Sequence, residues 1–543
     1  MPVRVEINLQ KAEVAAGITL FQCGEKLGVR IPTSCRKNGK CRECLLEISS
    51  GMEFLSPRVG EEAHLSGLFR LACRTKIACD SGQVTCSTLK RGSIRIEESS
   101  EDLPLSAFEV PFDPAVTREG NQIFLDRIPI AVSDGPILGA AVDIGTTTVV
   151  VRVIDLETKK TVAGSSFENP QRFGGTDVLA RISFDTKNKG KLLRRTLLGY
   201  LSQCLEDLPI DPLNIYEMVI AGNATMRDLF FDLKVESIGQ IPYRSLTEHE
   251  MLAGKRETTS LSVPNRKFQL PIHPNARLYG LPLIGSHVGA DTAACLLAID
   301  LDHEERLVAL MDIGTNTEII CGNRKRIKAA SCPAGPAFEG GAINCGMPAL
   351  EGAIEKVVFD HEDRVQLTVI GGKEPVGICG SGLVDTLSEL LRLDKMNASG
   401  RYSNGEDKFY LNREFDIYLS ENDISELAQA KGANVAGLQI LLKNYGVRFD
   451  RLDVFYLAGG FARHLDIEAA KRVGLIPNLP GEKFRKIGNA AIEGAAIALY
   501  STSRRRDLEK MVKKIPHVEL ETDLDFFDHF VDGCQYITVS QPQ

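Results

Sequence analysis

Four of the fourteen cysteines stand at a spacing that chemistry can use: Cys35-x5-Cys41-x2-Cys44-x28-Cys73. Four thiolates can hold a 2Fe–2S cluster, three from one short loop and the fourth from a distance. That loop, SCRKNGKCREC, supplies Gly39 and a run of backbone amides that can donate to cluster sulfurs and tune their potential. The same sulfurs could hold a structural zinc. Zinc sites, however, usually pair two C-x2-C knuckles, and only one is present in this cluster. Cys23, Cys79 and Cys86 fall outside the spacing and read as small buried hydrophobes.

A second signal is a pair of turns. AVDIGTTTVVV (141–151) and LMDIGTNTEII (310–320) share apolar-Asp-Ile-Gly-Thr-x-Thr. A β-turn-β rich in Gly and Thr exposes amide and hydroxyl donors that suit a polyphosphate. An Asp just ahead of the Gly can hold Mg²⁺, which keeps most of its waters and takes one or two carboxylates besides phosphate. One such turn is a weak signal, but two in repeat register are a strong one. Each is followed by a further paired phrase, VIAGNATM (219–226) and YLAGGFARH (456–464), in the same order. Duplicated halves predict two similar subdomains facing each other across a cleft.

The elements that must carry these residues follow from patterning. VRVEINL alternates like a half-buried strand, and Thr19 stands ready to cap the short helix in ITLFQCGEKLG. Residues 1–92 form the Cys-rich unit. Residues 93–136 read as a linker, with an acidic run Glu97–Asp102 and prolines 104, 111, 114, 129 and 136, and short strands in its second half. Its Pro-rich start is expected to tether the Cys-rich unit at a distance. From residue 137 apolar strands alternate with helices, an α/β signature, giving an expected domain over 137–543 with subdomains 137–305 and 306–543. Composition is that of a globular protein, with 43% apolar and 25% charged residues and a net charge of −8. An acidic balance argues against nucleic acid, and the basic tract SRRRDLEKMVKK (503–514) fits a solvated helix face. No run of 18 apolar residues suggests a membrane span. MPVRVEINLQ does not read as a signal peptide, so the cytoplasm is the expected compartment. There is no GxxxxGK[ST], GxSxG or HExxH.

IPTSCRKNGKCREC…RLACRT resembles 2Fe–2S ferredoxins, with adrenodoxin-like spacing. The paired turns resemble the actin, sugar kinase and heat-shock chaperone ATPase superfamily. By that resemblance Asp143, Gly145, Thr146 and Thr147 match the first phosphate loop, and Asp312, Gly314, Thr315, Asn316 and Thr317 the second. Ala458, Gly459, Gly460 and Phe461 match the adenosine motif. GICGSGLVDTLSELL and GNAAIEGAAIALY look like the small-residue helices that cross between subdomains. PAGPAFEGGAINCG reads as lining the nucleotide cleft or a closing interface. Asn169, Gln171 and Asp177 of NPQRFGGTDVLARI read either as water-positioning groups or as ordinary caps. The fold implied is multidomain: an N-terminal α+β ferredoxin-type (β-grasp) domain, then a duplicated α/β ribonuclease H-like (actin-like ATPase) domain.

The combination resembles the reductive activators of corrinoid proteins over nearly the whole chain, in VDIGTTTVV, NPQRFGGTDVLARI, AGNATM, DIGTNTEI, PAGPAFEGGAI, GICGSGLVD, SENDISELAQAKGA and YLAGGFARHLD. Some members carry a further middle domain, for which the interval between Cys73 and Asp143 leaves no room. The resemblance implies a 2Fe–2S cluster, ATP and Mg²⁺. It also implies a corrinoid-protein partner, an unidentified electron donor, no nucleic acid and no membrane, with a homodimer allowed. Its implied activity returns inactive Co(II) to Co(I), at a potential below the roughly −400 mV of plant-type clusters. Each 59 mV of shortfall costs a factor of about ten, which ATP offsets only by favouring a state in which reduction is less uphill. Asp312 is the preferred group for orienting the attacking water. Other readings are an activator of a radical dehydratase, a redox-sensing ATP-binding chaperone or scaffold, and a sugar kinase.

Overall fold

A computed structural model describes residues 3–8, 10–33, 35–89, 103, 110–285, 287–362 and 364–539. The acidic run Glu97–Asp102 and Pro104 lie outside the described residues. Packing divides the described chain into two units, one holding 3–89 and 113–281, the other 282–539 with 110–112.

The first unit opens with a five-stranded sheet of β1 (Val3–Ile7), β2 (Gln10–Val14), β3 (Leu45–Ser50), β4 (Phe69–Leu71) and β5 (Gln83–Thr88), in the order β2-β1-β5-β3-β4. The alternation of VRVEI is realised with Val3, Val5 and Ile7 all buried. Helix α1 (Leu20–Lys26) starts at Thr19, whose hydroxyl accepts from the Gln22 amide in a reciprocal capping box. The second half of the expected linker forms a three-stranded meander, β6 (Val116–Glu119), β7 (Gln122–Leu125) and β8 (Ile128–Val132).

A six-stranded sheet follows, built from β9 (Leu138–Ile144), β10 (Thr148–Asp155), β11 (Thr161–Glu168), β12 (Ile215–Gly222), β13 (Leu261–Pro264) and β14 (Arg277–Gly280), ordered β11-β10-β9-β12-β14-β13. β9 and β12 are buried along their whole lengths, as expected of central strands covered on both faces. Helices α2 (Val178–Lys187), α3 (Leu192–Asp207), α4 (Ala224–Phe230) and α5 (Leu246–Leu252) complete the unit.

The second unit begins with α6 (Ala290–Ala298), then β15 (Val308–Asp312), β16 (Thr317–Asn323) and β17 (Arg326–Cys332). Two small sheets interrupt: β18 (Ala353–Phe359), β19 (Val365–Val369) and β20 (Gly377–Ile378), then, after α7 (Gly380–Arg392), the hairpin β21 (Lys408–Asn412) and β22 (Ile417–Ser420). Next come α8 (Glu421–Tyr445), β23 (Val454–Ala458), α9 (Ile467–Val473) and β24 (Phe484–Gly488). α10 (Ala490–Tyr500), α11 (Thr502–Val512) and α12 (Phe526–Cys534) end the chain. The main sheet runs β17-β16-β15-β23-β24. Its core gathers Met311, Ile319, Leu387, Leu441 and Leu457.

The internal repeat is therefore a repeat of topology. β11-β10-β9-β12-β14 and β17-β16-β15-β23-β24 share one strand order, with two antiparallel ladders and then two parallel ones. This is the duplicated α/β architecture that the paired motifs predicted.

Two expectations change. In α11, Arg504 and Arg505 are buried: Arg504 pairs with Asp300 and Asp302, and Arg505 donates to the Ala498 carbonyl. The tract is anchored through these two arginines rather than being only a solvated face. The Cys-rich sheet, expected to hang from a tether, is seated on the first unit's own helices. Arg30 pairs with Glu206 at 2.6 Å and Asp207 at 3.1 Å. Arg195 donates to the Cys41 carbonyl at 3.2 Å, and the Tyr200 hydroxyl lies 3.4 Å from the Leu89 amide.

Candidate functional site

The cysteine loop joins α1 to β3. Arg36, Lys37, Gly39 and Arg42 all take positive φ, between 54° and 80°. Successive left-handed residues turn amide N–H groups toward one concave side, the geometry of an anion nest. Gly39 takes φ 80°, which glycine adopts readily, and a Cβ there would crowd the Arg74 side chain at 3.0 Å. Cys41, Cys44 and Cys73 are buried and Cys35 half-buried. The sulfurs of Cys44 and Cys73 are 3.3 Å apart, and Thr33 Oγ1 lies 4.0 Å from Cys35 Sγ and 3.8 Å from Cys41 Sγ.

Burial alone would raise the Cys35 thiol. The Cys41 amide and thiol, the Asn38 amide and the Thr33 hydroxyl outweigh it and bring it down to about 6. In the close pair, each thiol's bond to the other dominates: Cys44 is pushed up and Cys73 down, helped by the Gly39 amide. Four thiols, three nearly dry and three receiving amide N–H groups, fit an iron–sulfur cluster. A single zinc fits worse. Four thiolates at about 2.3 Å from one ion lie within about 4 Å of each other, whereas no three of these sulfurs fall within 4.8 Å of one another. Cys23 and Cys86 are neutral buried thiols, raised by burial to about 11 and about 12.

The first Asp-Ile-Gly-Thr turn links β9 to β10. Asp143 sits at the end of β9, beside Ala221 of β12 in the parallel ladder. The Gly145 amide bonds the Thr148 carbonyl at 3.0 Å, and a Cβ at Gly145 would lie 2.7 Å from that oxygen. Three carbonyls of the turn are held from behind. Asn169 donates to Gly145 at 2.8 Å through its side chain and to Thr147 at 2.7 Å through its amide. Arg181 donates to Thr146 at 2.6 Å. In planar trans peptides the N–H opposes the C=O, so the amides that follow those carbonyls point the other way, as a phosphate would need. Asn223 Nδ2 fixes Thr146 Oγ1 at 3.1 Å.

Of the NPQRFGG candidates, Asn169 is fully buried against the turn, whereas Asp177 is an exposed cap on the Ala180 amide at 2.8 Å. Gln171 is fully buried, and neither polar atom of its side-chain amide has a partner among the described residues. The same holds for the hydroxyls of Thr225, in the first turn of α4, and of Thr317.

The second turn repeats the register: Asp312 ends β15 beside Ala458 of β23. Gly459 (φ 96°) is the one residue that fits there, since a Cβ would lie 2.6 Å from the Ile313 carbonyl and 3.0 Å from Asp312 Oδ1. Gly460 is exposed and sterically open, and Phe461 stacks on Phe338 with centroids 5.6 Å apart. Gly314, Thr315 and Asn316 form the turn, and Thr317 opens β16. Thr315 donates to Glu339 at 2.5 Å, an acid inside PAGPAFEGG.

Two acids missed by sequence reasoning join Asp312. Burial, then Asp291 and Asp312, hold Glu318 well above the usual carboxylate range, and burial raises Asp291 to about 6. Cys295 Sγ approaches Asp312 Oδ2 at 3.7 Å. Glu318 is thus buried within electrostatic reach of both Asp291 and Asp312, beside the second turn. The signal available in the sequence was the Glu directly after TNT.

Residues 4–78 match the 2Fe-2S iron-sulfur cluster binding domain, 138–304 the RACo middle region, and 306–542 the C-terminal domain of RACo, the ASKHA domain. The middle region is thus present. It is the segment carrying the first turn, and it lies almost wholly outside the interval between Cys73 and Asp143 in which a further domain was expected to be absent. The chain is 31% identical over 447 residues to the corrinoid activation enzyme RamQ of Eubacterium limosum, covering 77% of this chain and 73% of that one. It is 25% identical over 438 residues to a Co(II) methylated amine-specific corrinoid protein reductase of Methanosarcina barkeri (74% and 78% covered). A solved reductive activator for corrinoid, iron-sulfur protein superposes with a TM-score of 0.72 at 26% identity, over 99% of this chain and 98% of that one.

Proposed function

The chain belongs to the reductive activators of corrinoid proteins, and from that premise we propose that it uses ATP to return the Co(II) form of a partner corrinoid protein to Co(I). We assign the cluster ligands to Cys35, Cys41, Cys44 and Cys73, where the group would supply one electron at a time. The inward-turned amides of the loop stabilise the thiolates there and tune the potential. Asp143 and Asp312, with Gly145, Thr146, Thr147, Gly314, Thr315, Asn316 and Thr317, are assigned to ATP and Mg²⁺. Gly459, Gly460 and Phe461 are assigned to the nucleoside. Asp312 orients water, and Glu318 holds a proton beside it. The working division is ferredoxin 1–92, connector 93–136 and ATPase 137–543. We place the activity in the cytoplasm; among the described residues no helix is long and apolar enough to cross a membrane.

The observation that carries this reading is the shared register, each Asp lying beside the Ala of its own AG phrase in two halves of one topology. A cysteine site is seated on the first of those halves. The reading is tested by adding the protein with reductant to a Co(II) corrinoid protein and following the Co(I) absorption band. Co(I) should accumulate with ATP and fail to do so with a non-hydrolysable analogue. Equal accumulation without nucleotide would contradict it.

A further inference from the structure

One contact joins the two sites of the first unit through a single side chain. Arg172 lies in the 3₁₀ turn Pro170–Gly174, directly after Asn169, the residue holding the Gly145 and Thr147 carbonyls. Its guanidinium reaches Glu47 Oε1 at 3.1 Å, pairs also with Glu168 at the end of β11, and covers the Phe69 ring with its carbon 5.9 Å from the centroid. Glu47 and Phe69 are direct cross-strand partners in the β3–β4 ladder. β3 begins immediately after Cys44, and β4 ends two residues before Cys73. Arg172 therefore grips the strand pair that spaces the Cys44 and Cys73 sulfurs, while its own turn is tied to the first phosphate-type loop.

That turn has the marks of an element with two arrangements. Short 3₁₀ segments commonly serve as connectors, and this one ends at Gly174-Gly175, with Gly175 at φ 142°, a backbone freedom that glycine supplies. Its second residue is Gln171, whose buried amide has no partner on nitrogen or oxygen among the described residues. A buried amide left without partners is unfavourable, so an arrangement that satisfies it is favoured. Arg172 suits transmission because a guanidinium fork holds two carboxylates in fixed directions, which a lysine cannot do.

We propose that Arg172 is a positioning residue through which nucleotide at the first loop is felt at the iron–sulfur site. Occupancy re-sets the 3₁₀ turn, Arg172 shifts its hold on Glu47, and the Cys44–Cys73 side of the cluster pocket changes geometry and hydrogen bonding. This rests on the cluster and ATP assignments above.

The test is potentiometric titration of the full-length, cluster-loaded protein with and without Mg-ATP, with the reduced cluster's EPR line shape recorded in parallel. Visible absorption and calorimetric ATP binding are measured on the same samples. The parent should show an ATP-dependent change of threefold or more in the reduction equilibrium, about 28 mV at 59 mV per decade. Arg172→Gln should bind ATP and carry the cluster normally, yet lose that change, and Glu47→Gln should lose it likewise if Arg172→Gln fails to fold. Arg30→Ala, which removes a different contact of the same docked domain, should keep it. An ATP-insensitive potential in the parent, a full shift in both Arg172→Gln and Glu47→Gln, or loss of the shift in Arg30→Ala would overturn the inference. Missing cluster absorption or missing ATP binding in the parent would instead overturn the assignments beneath it.

Discussion

Cys41 carries one of the three dry sulfurs of the pocket, and its amide and thiol both stabilise Cys35. Replacing it with alanine removes a ligand and the thiol contact to Cys35, while the backbone amide remains. Cys41→Ala should therefore abolish the visible iron–sulfur spectrum, while Cys204→Ala, a buried core position on α3, should retain it. Two irons bound in Cys41→Ala would remove these four cysteines as the ligand set. Asp312 is argued the same way. Asn keeps its shape and removes a charge that Glu318 feels. Positioned proton-transfer groups contribute about 10²–10⁴-fold. Asp312→Asn should therefore lower ATP turnover about a hundredfold or more, with ATP affinity in calorimetry changed far less. Turnover at the parent rate would take Asp312 out of the mechanism. The four cysteines and the two aspartates were legible because each stands at a motif spacing. Asp291 and Glu318 were not legible as a pair, because only the fold brings α6 and the start of β16 within electrostatic reach of each other.

Elements hold these residues by close approach and by buried clamps. α10 meets α6 at Gly494, where a Cβ would lie 1.9 Å from the Ala294 carbonyl, so the small-residue run in GNAAIEGAAIALY marks a helix contact with no room for a side chain. α12 is clamped onto α8 by Lys431, whose amine donates to the Gly533 carbonyl and, at 2.7 Å, to that of Gln535. Burial lowers this amine to about 8. An unfolded lysine holds its proton to about 10.4. Below pH 8 both states are charged and the fold bears the full cost of a buried ammonium. Between about 8 and 10.4 the unfolded chain binds more proton, so this group's contribution to stability rises with pH. Lys431→Met, losing both bonds, should be less stable than the parent by about 1–3 kcal/mol at pH 7. Its deficit in melting temperature should widen from pH 8 to 9.5, and a narrowing deficit would contradict the clamp. The alternating and continuous apolar strands were readable from periodicity. The inward turn of Arg504 was not, since its partner Asp300 lies 204 positions away.

At the scale of the whole molecule, the duplicated halves were legible because the repeat is written twice in residues that cannot drift. Gly222 and Gly459, counterparts in the two AG phrases, would bring a Cβ to 2.9 Å from the Ile144 carbonyl and 2.6 Å from the Ile313 carbonyl, and each Asp pairs with the Ala of its own half. The seating of the ferredoxin was not legible. It depends on Arg30, Arg172 and Arg195 meeting Glu206, Glu47 and the Cys41 carbonyl across more than a hundred positions, and a Pro-rich linker read alone suggested a tether. A cysteine site docked on an ATP-type half makes one claim central: the electron that reaches cobalt comes from this chain's cluster, and ATP gates its passage. The most direct measurement is a single turnover without external reductant. Pre-reduced protein is mixed with Co(II) corrinoid protein, and cluster oxidation and Co(I) formation are followed together, with and without Mg-ATP. The account predicts about one Co(I) per cluster oxidised, with ATP only. Co(I) in equal yield without ATP, or Co(I) while the cluster stays reduced, would contradict it.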